Sequence, residues 1–557
     1  MITCTEISPI KLPGLSSFKV EFDYRAEIVD VLKQVPSAIY HKNLKCWEIP
    51  VTSLARAIEL FHNYDTVVLN FLPETAEDEP IEYTLSEYKT KPYQYQIEGI
   101  QYGLNHPRFL LLDAPGLGKS LQMIYLAQEI KQRKNIQHCL IICGINTLKF
   151  NWKKEIEIHS DLSCRILGQR FNKNGELKIG SVQDRLNDLK NPIDEFFVVT
   201  NVETLRNDEI IKELTKGKAN KFEMIVVDEM HTCKSPTSQQ GKNLLKLSAD
   251  YMAGLTGTLL LNSPLDAFVP LKWLGVDKST YTNFKFYYCN YAGLFNNILT
   301  GYKNLDVLKD ELASCSLRRS KELLDLPPKT IIHEYVELDG KQGTFYSNIV
   351  EGITEEVDKV ELNTSTILSM VTRLRQATAC PSILTTEEIE SAKVSRAVDL
   401  AKQIVAGGDK VVIFSVFKET LNTIMKELDE YHPLLCTGDI SDDIIAKNID
   451  AFQNTDINKV ICATTAKMGT GITLTRASYA IFIDAPWTAA QCTQCEDRIY
   501  RIGSKNPVFI YYLWAKDTID ERVKEIVEDK EAIADFIIDN KISKKSLESL
   551  KKYILDL

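Results

Sequence analysis

The stretch LLLDAPGLGKSLQMIYLAQEI, Leu110 to Ile130, decides how the chain is read. The apolar run from Phe109 to Leu112 predicts a buried strand, and a helical apolar period follows Lys119. Between them lies a short loop holding Gly116 and Gly118, closed by Lys119 and Ser120. Strand, glycine loop, Lys-Ser and helix make a phosphate cradle. The glycines let backbone N–H groups close on phosphate oxygens, and the helix N-terminus adds partial positive charge. In such a loop Lys119 reaches the β- and γ-phosphates and the Ser120 hydroxyl holds Mg²⁺. One position departs from the usual spacing, with Asp113 where the first loop glycine is expected. A glycine-rich turn before an ordinary helix is the alternative, and the rest of the chain decides between the two.

A chain of 557 residues has room for about three or four domains with substantial cores. Its balance of apolar and charged residues is that of a soluble globular protein. No apolar run is long enough to span a bilayer, and MITCTEISPIKLPG lacks a basic-then-apolar leader, so no membrane partner is expected and the location is read as cytoplasmic. The Lys, Ile and Asn content of a compact chain suits a bacterium or a bacteriophage-infected cell. Thirteen scattered cysteines fit reduced thiols. Cys492 and Cys495 form a CxxC with no second pair or nearby His, so no structural zinc is expected. The net charge of −10 argues against coating nucleic acid with the whole surface but leaves room for a local basic groove.

The second decisive stretch is FEMIVVDEMHTCKS, Phe222 to Ser235. A buried strand, Met224 to Val227, delivers Asp228 and Glu229 at its end. Nucleotide hydrolysis needs one carboxylate on the metal and another to take a proton from the attacking water. That assigns Asp228 to Mg²⁺ and Glu229 to the base. A surface acidic pair is the alternative reading, and the apolar residues just before it oppose that.

Several stretches carry a family resemblance. YQIEG, Tyr95 to Gly99, resembles the adenine-reading segment of helicase superfamily two, with Gln96 in the base-reading place. A Gln amide donates and accepts at once, as an adenine edge requires. DEMH resembles the DEAH and DEGH boxes of that superfamily. GLTGTLLLNSPLDAF, from Gly254, is similar to the LTGTP-x-x-N segment of Swi/Snf-type ATPases, where Thr256 and Thr258 would couple hydrolysis to lobe movement. QCTQCEDRIYRIGS, Gln491 to Ser504, resembles the family's last motif. Arg498 and Arg501, three apart on one helical face, would stabilise transition-state charge as arginine fingers, with Gln494 assisting at the nucleotide. Surface pairing of these arginines with Glu496 and Asp497 is the alternative.

The resemblance implies loops that hold DNA phosphates. CLIICGINTLKFNWKKEI, Cys139 to Ile156, offers Thr147 and Lys149, and EFFVVTNVETLRND, Glu195 to Asp208, offers Thr200 and Asn201. Capping and turn chemistry is an equal alternative for each. In the second half, Ser415 ends a strand of KVVIFSVFKETLNTIMKEL, and Thr464, Thr465, Gly469 and Gly471 form a Gly/Thr loop, with Thr465 a phosphate contact. LRRSKELLDLPPK, from Leu317, and MVTRLRQATACPSIL, from Met370, resemble Swi/Snf-specific segments. Within the first, Arg318, Arg319 and Lys321 form a basic cluster that either solvates a face or meets DNA.

Ahead of all this, Phe18 to Phe71 reads β-α-β-β-α-β, with strands at 19–23, 38–41, 45–49 and 66–71 and helices at 25–33 and 54–61. It loosely resembles the HepA-related (HARP) domain of annealing helicases, and a generic α+β accessory domain is the other reading. The resemblance makes Tyr40, Lys42, Lys45 and Trp47 DNA-contact candidates. The acidic LPETAEDEPIEY, from Leu72, reads as a linker.

The expected fold is α/β, with two RecA-like parallel-sheet lobes, helical insertions and a small N-terminal α+β module. The expected divisions are 1–75, a first lobe at 85–270, helical insertions at 271–392, a second lobe at 393–535 and a solvated helical tail at 536–557. The resemblance covers Lys91 to Lys530 and implies an ATP- and Mg²⁺-dependent double-stranded DNA translocase, acting on duplex or branched DNA. Remodelling or reannealing of branched DNA, displacement of proteins from DNA, and nucleotide-gated DNA binding with little hydrolysis all stay open.

Overall fold

The computed structural model describes residues 1–72, 80–144, 146–171, 177–257, 263–292, 298–324, 326–357, 364–468, 473–487, 489–501, 503–528 and 544–555. The chain forms two units: Met1–Ala114 with Gly118–Ser320, and Lys321–Leu557 with Pro115–Leu117.

Among the described residues the first unit holds two large sheets and two two-stranded ones, Gln169–Phe171 with Leu177–Ile179 and Cys289–Ala292 with Ile298–Tyr302. The N-terminal sheet has five strands, in the order Ile39–His41, Cys46–Pro50, Ser17–Phe22, Ile2–Ile7, Val67–Asn70. The helices Ala26–Leu32 and Leu54–Phe61 bury Ile28, Val31, Leu32, Ala57 and Phe61 with Phe18, Val20 and Ile49 of the sheet. The sequence reading missed the strand Ile2–Ile7, which pairs antiparallel with Ser17–Phe22 and parallel with Val67–Asn70. Its Ile-Thr-Cys-Thr alternation is the period of a half-buried strand, and Ile2 and Cys4 fill the core.

A seven-stranded parallel sheet follows, in the order Ser316–Leu317, Arg108–Leu111, Tyr251–Leu255, Phe222–Asp228, His138–Cys143, Phe197–Asn201, Cys164–Ile166. The central strands are buried on both faces, which is why they read as unbroken apolar runs.

The second unit carries a six-stranded parallel sheet, in the order Lys329–Val336, Val508–Ala515, Tyr479–Phe482, Val411–Ser415, Val460–Thr464, Leu434–Cys436. Both lobes are therefore RecA-like α/β sheets, as the sequence predicts.

Two expectations change. Residues 271–392 are not helical throughout: they include the strands Cys289–Ala292, Ile298–Tyr302, Ser316–Leu317 and Lys329–Val336. Ser316–Leu317 joins the first lobe's sheet beside Arg108–Leu111, and Lys329–Val336 pairs in parallel with Val508–Ala515 of the second. A two-residue strand shows no period to read, and an edge strand with exposed Ile331 and Tyr335 lacks a clean apolar face. The final helix, Lys544–Leu555, is not a solvated tail, because Leu550 and Ile554 are buried in the second unit's core. Their i,i+4 spacing puts both on one face.

Two buried glutamates fasten the N-terminal module. Glu48 accepts from the amides of Ile10 (2.8 Å) and Lys11 (3.1 Å) and from Ser17 Oγ (2.8 Å), with His41 Nε2 2.7 Å away. The loop so held presents the Gly14 amide to Glu311 Oε1 (2.6 Å), whose other oxygen accepts from Tyr288 Oη (2.7 Å). Asn283 Nδ2 donates to the Lys11 carbonyl (3.2 Å), and Thr52 meets Tyr287 (3.1 Å).

Burial pushes Glu311 up to about 7, aided by Asp277 and opposed by the donors Tyr288 and Gly14. The folded chain keeps a proton that an unfolded glutamate releases near 4.5. This group's stabilisation is complete below that value and is lost as pH rises to about 7. Relative to Glu311→Gln, the wild type should therefore lose stability between pH 4.5 and 7 and run parallel above that, by urea unfolding. Leu550→Ala should cost about 2–5 kcal/mol in the same assay.

Candidate active site

The carboxyl ends of neighbouring parallel strands converge on one edge, where ligands of open α/β sheets sit. Arg108–Leu111 leads into the glycine loop and the helix Lys119–Lys134. Gly116 (φ 89°) and Gly118 (φ 70°) take the left-handed conformation that a glycine adopts without steric cost. Gly118 is also needed for space, since a Cβ there would lie 2.3 Å from Gln96 Nε2. Gln96, buried on the helix Gln94–Asn105, accepts from the Tyr93 amide at 2.9 Å. The base-reading candidate and the phosphate loop are thus in contact. Lys119 Nζ donates to the Asp113 carbonyl (2.7 Å) and more weakly to that of Ala114 (3.4 Å), and Ser120 follows it in the first helical turn.

Two strands over, Phe222–Asp228 ends at the acidic pair. Asp228 Oδ2 accepts from Trp152 Nε1 (2.9 Å), and Oδ1 accepts from the Glu229 amide (2.9 Å). Burial, with the Glu229 charge beside it, pushes Asp228 up to about 6; Trp152 and the Lys119 charge pull the other way. Glu229 is left-handed (φ 51°), an unfavourable conformation for a side chain, as at many functional sites. Gly144 makes room for it, a Cβ there falling 3.1 Å from Glu229 Cβ. His231 Nδ1 lies 3.3 Å from Glu229 Oε2 and 3.1 Å from Thr256 Oγ1. Burial and Lys234 lower His231 to about 4, so it is neutral at pH 7 and links Glu229 to Thr256 without forming an ion pair. Thr256 is fully buried. Thr258 lies outside the described residues, as do Gly469 and Gly471.

The donor set suits a magnesium nucleotide: a lysine and a hydroxyl at a helix N-terminus, left-handed loop glycines, and a half-buried carboxylate at a strand end.

The expected DNA-contact side chains do not face outward. Lys149, Thr200, Asn201 and Ser415 are all buried. Thr200 Oγ1 donates to Thr204 Oγ1 (2.9 Å), which donates to Asn201 Oδ1 (2.8 Å), while Asn201 Nδ2 donates to Glu203. Ser415 Oγ donates to Asp484 Oδ2 (2.6 Å). Short polar side chains at a strand end satisfy local groups first. Thr465 is also buried, and the side chain of Thr147 lies outside the described residues. Nor is the basic cluster a surface patch, since Arg319 pairs with Asp113 and Lys321 with Asp497, leaving only Arg318 exposed.

In the second unit the helix Ala489–Glu496 ends before the arginines, so Arg498 and Arg501 sit in the following turn and not on a helical face. Asp497 holds Lys321, and Glu496 holds Lys329 (2.8 Å) and Tyr512 Oη (2.8 Å). The acids that a surface reading would pair with these arginines are occupied by lysines. Arg501 Nη1 donates to Thr473 Oγ1 (2.9 Å), Arg498 is buried, and Gln494 is half-buried. Cys492 and Cys495 lie in the apolar core of the unit. Among the described residues no group of three or more His, Cys, Asp or Glu side chains could hold a metal, and no helix is long and apolar enough to cross a membrane.

Missed in the sequence were Trp152, the pairing of Asp113 with Arg319, and the set formed by Asp484 and Arg375. Arg375 is buried, donates to the Ala485 carbonyl (2.5 Å) and lies 4.4 Å over the Trp487 ring. Trp152, Asp113, Arg319 and Arg375 lie within the quoted stretches, and only their partners distinguish them.

Two parallel α/β lobes, one with a phosphate loop beside an acidic strand end, define a two-lobed nucleotide-binding class. Residues 80–383 match the SNF2-related domain and 393–503 the helicase conserved C-terminal domain. The first match spans more than half the chain, which belongs to the SNF2-related family.

Its relatives include an uncharacterized ATP-dependent helicase of Mycoplasma pneumoniae, 27% identical over 79% of this chain and 41% of that protein. A Caenorhabditis elegans homolog of SWI/SNF-related matrix-associated actin-dependent regulator of chromatin subfamily A-like protein 1 is 25% identical over 94% of this chain and 74% of its own. The DNA annealing helicase and endonuclease ZRANB3 of Bos taurus is 25% identical, over 81% and 40%. The chain thus spans less than half of the Mycoplasma and Bos taurus proteins. Among solved structures, the Sulfolobus solfataricus SWI2/SNF2 ATPase core in complex with dsDNA matches at 25% identity and a TM-score of 0.37, covering 84% of this chain and 99% of that one.

Trp152→Phe removes the donor to Asp228 and, with its smaller ring, leaves a cavity at a buried position. It should lower stability by about 1–3 kcal/mol, through the lost hydrogen bond to a half-buried carboxylate and the cavity together, in urea unfolding at pH 8, where Asp228 is ionised.

Proposed function

We propose that the protein hydrolyses ATP with Mg²⁺ and couples that to movement along double-stranded DNA, remodelling or reannealing branched DNA. The observation that carries this reading is the pairing, in one sheet, of a phosphate loop bearing Lys119 and Ser120 with the Asp228–Glu229 strand end. Lys119 and the loop amides hold the β- and γ-phosphates, and Gln96 meets the adenine edge. Ser120 and Asp228 hold Mg²⁺, which when bound supplies Lewis-acid charge to the phosphate oxygens.

Glu229 takes the proton of the attacking water. Arg498 and Arg501, with Gln494, offset the charge that develops on the transferring group. Thr256, in contact with His231, would relay the state of the acidic pair, and Thr258 belongs to the same segment. DNA would be held through phosphates by the loops of Thr147, Lys149, Thr200, Asn201, Ser415 and Thr465. With these described side chains buried, phosphate contact would fall to other groups of the same segments. The branched-DNA element rests on the N-terminal module and on similarity to a protein named as an annealing helicase.

ATP turnover measured without nucleic acid, and with single-stranded, double-stranded and forked DNA and with RNA, tests this. Duplex or forked DNA should stimulate most, and stimulation should fall steeply with salt. Glu229→Gln should lower turnover about 100-fold or more while nucleotide still binds. A rate equally low on every substrate and unchanged by Glu229→Gln would leave a nucleotide-gated binder.

A further inference from the structure

Arg319, from the basic segment LRRSK, lies inside the first unit with its guanidinium wholly engaged. Its Nε and Nη2 grip the Asp113 carboxylate at both oxygens (2.9 and 2.5 Å). Nη2 also donates to Gln122 Oε1 (2.7 Å), and Nη1 donates to the Tyr95 carbonyl. Gln122 closes the ring by donating to Asp113 Oδ2 (3.0 Å). One side chain thus joins the helix carrying Gln96, the first residues of the phosphate loop and the helix that begins at Lys119.

The backbone follows the same path. Leu112 donates to the Leu317 carbonyl (2.8 Å) and Ala114 to that of Arg319 (3.0 Å), so residues 317–319 run alongside the loop's entry. Gly99 of YQIEG leaves the space, since a Cβ there would lie 1.9 Å from Gln122 Oε1 and 2.9 Å from Arg319 Nη2. Asp113, the departure from the usual loop spacing, is fully buried, and its carbonyl receives Lys119 Nζ.

We infer that Arg319 is a positioning residue for the nucleotide site: its bidentate grip on Asp113 fixes the loop entry and the Gln96 helix in the geometry that receives ATP. A planar fork suits this and an ammonium does not, because only the guanidinium reaches both carboxylate oxygens and the Tyr95 carbonyl at once. The inference rests on the nucleotide-binding reading of the same loop.

Two measurements on the full chain test it, with a fluorescent ADP analogue and Mg²⁺ as the probe. Arg319→Lys, with its unfolding midpoint recorded alongside, should bind the analogue at least tenfold more weakly than the wild type. Asp113→Asn should weaken binding by a similar factor, and the double variant should add little, since the two act as one unit. A folded Arg319→Lys that binds within twofold of the wild type overturns the inference.

Hydrogen exchange on the wild type needs no variant to fold. ADP should slow exchange in 317–320 as well as in 113–120, and protection confined to 113–120 overturns the inference even if the variants misfold. A wild type that binds no nucleotide rejects the reading of the loop itself, a different result from either.

Discussion

A parallel sheet points every strand the same way, so the loops that follow its strands gather on one edge with their polar ends concentrated there. The first lobe depends on this constraint. It brings the glycine loop after Arg108–Leu111, the acidic pair after Phe222–Asp228 and Thr256 after Tyr251–Leu255 to one rim. Concentrating charge beside an apolar core has a cost, and two carboxylates at this rim, buried Asp113 and half-buried Asp228, meet specific donors. Asp113 has Arg319 and Gln122, and Asp228 has Trp152 and the Glu229 amide. Buried charges persist only when paired and hydrogen-bonded. The left-handed Glu229 and the space kept by Gly99, Gly118 and Gly144 show how tightly these groups are packed.

The second unit meets the same demand with different residues. Asp484 accepts from Ser415 and from the Val416 amide, while the guanidinium of Arg375 lies over the Trp487 ring. Glu496 and Asp497 are held by Lys329 and Lys321, both in the opening stretch of this unit's main segment. In both units polar side chains first complete the scaffold, which is why so few of the strand-end residues face solvent. The N-terminal module obeys the rule as well, with Glu48 ordering a loop and Glu311 receiving it.

By itself the sequence determined the two lobes, the phosphate loop, the acidic pair and the order of motifs. Those features are local: an apolar run, a glycine spacing, or a carboxylate pair at the end of a strand is written in consecutive residues. The N-terminal α+β pattern was legible for the same reason, except for Ile2–Ile7, whose place inside the sheet depends on Val67–Asn70, some sixty residues on, as well as on the next strand. Tertiary structure alone decided which polar residues are structural. Arg319 and Lys321 read as a basic surface cluster and are taken by Asp113 and Asp497, partners 206 and 176 residues away. Thr200, Asn201 and Ser415 read as phosphate contacts and are turned to internal partners, and Leu550 and Ile554 read as a solvated tail and complete a core. The physical reason is common to all of them: whether a polar or apolar side chain meets solvent depends on what the fold brings against it, and no spacing along the chain records that.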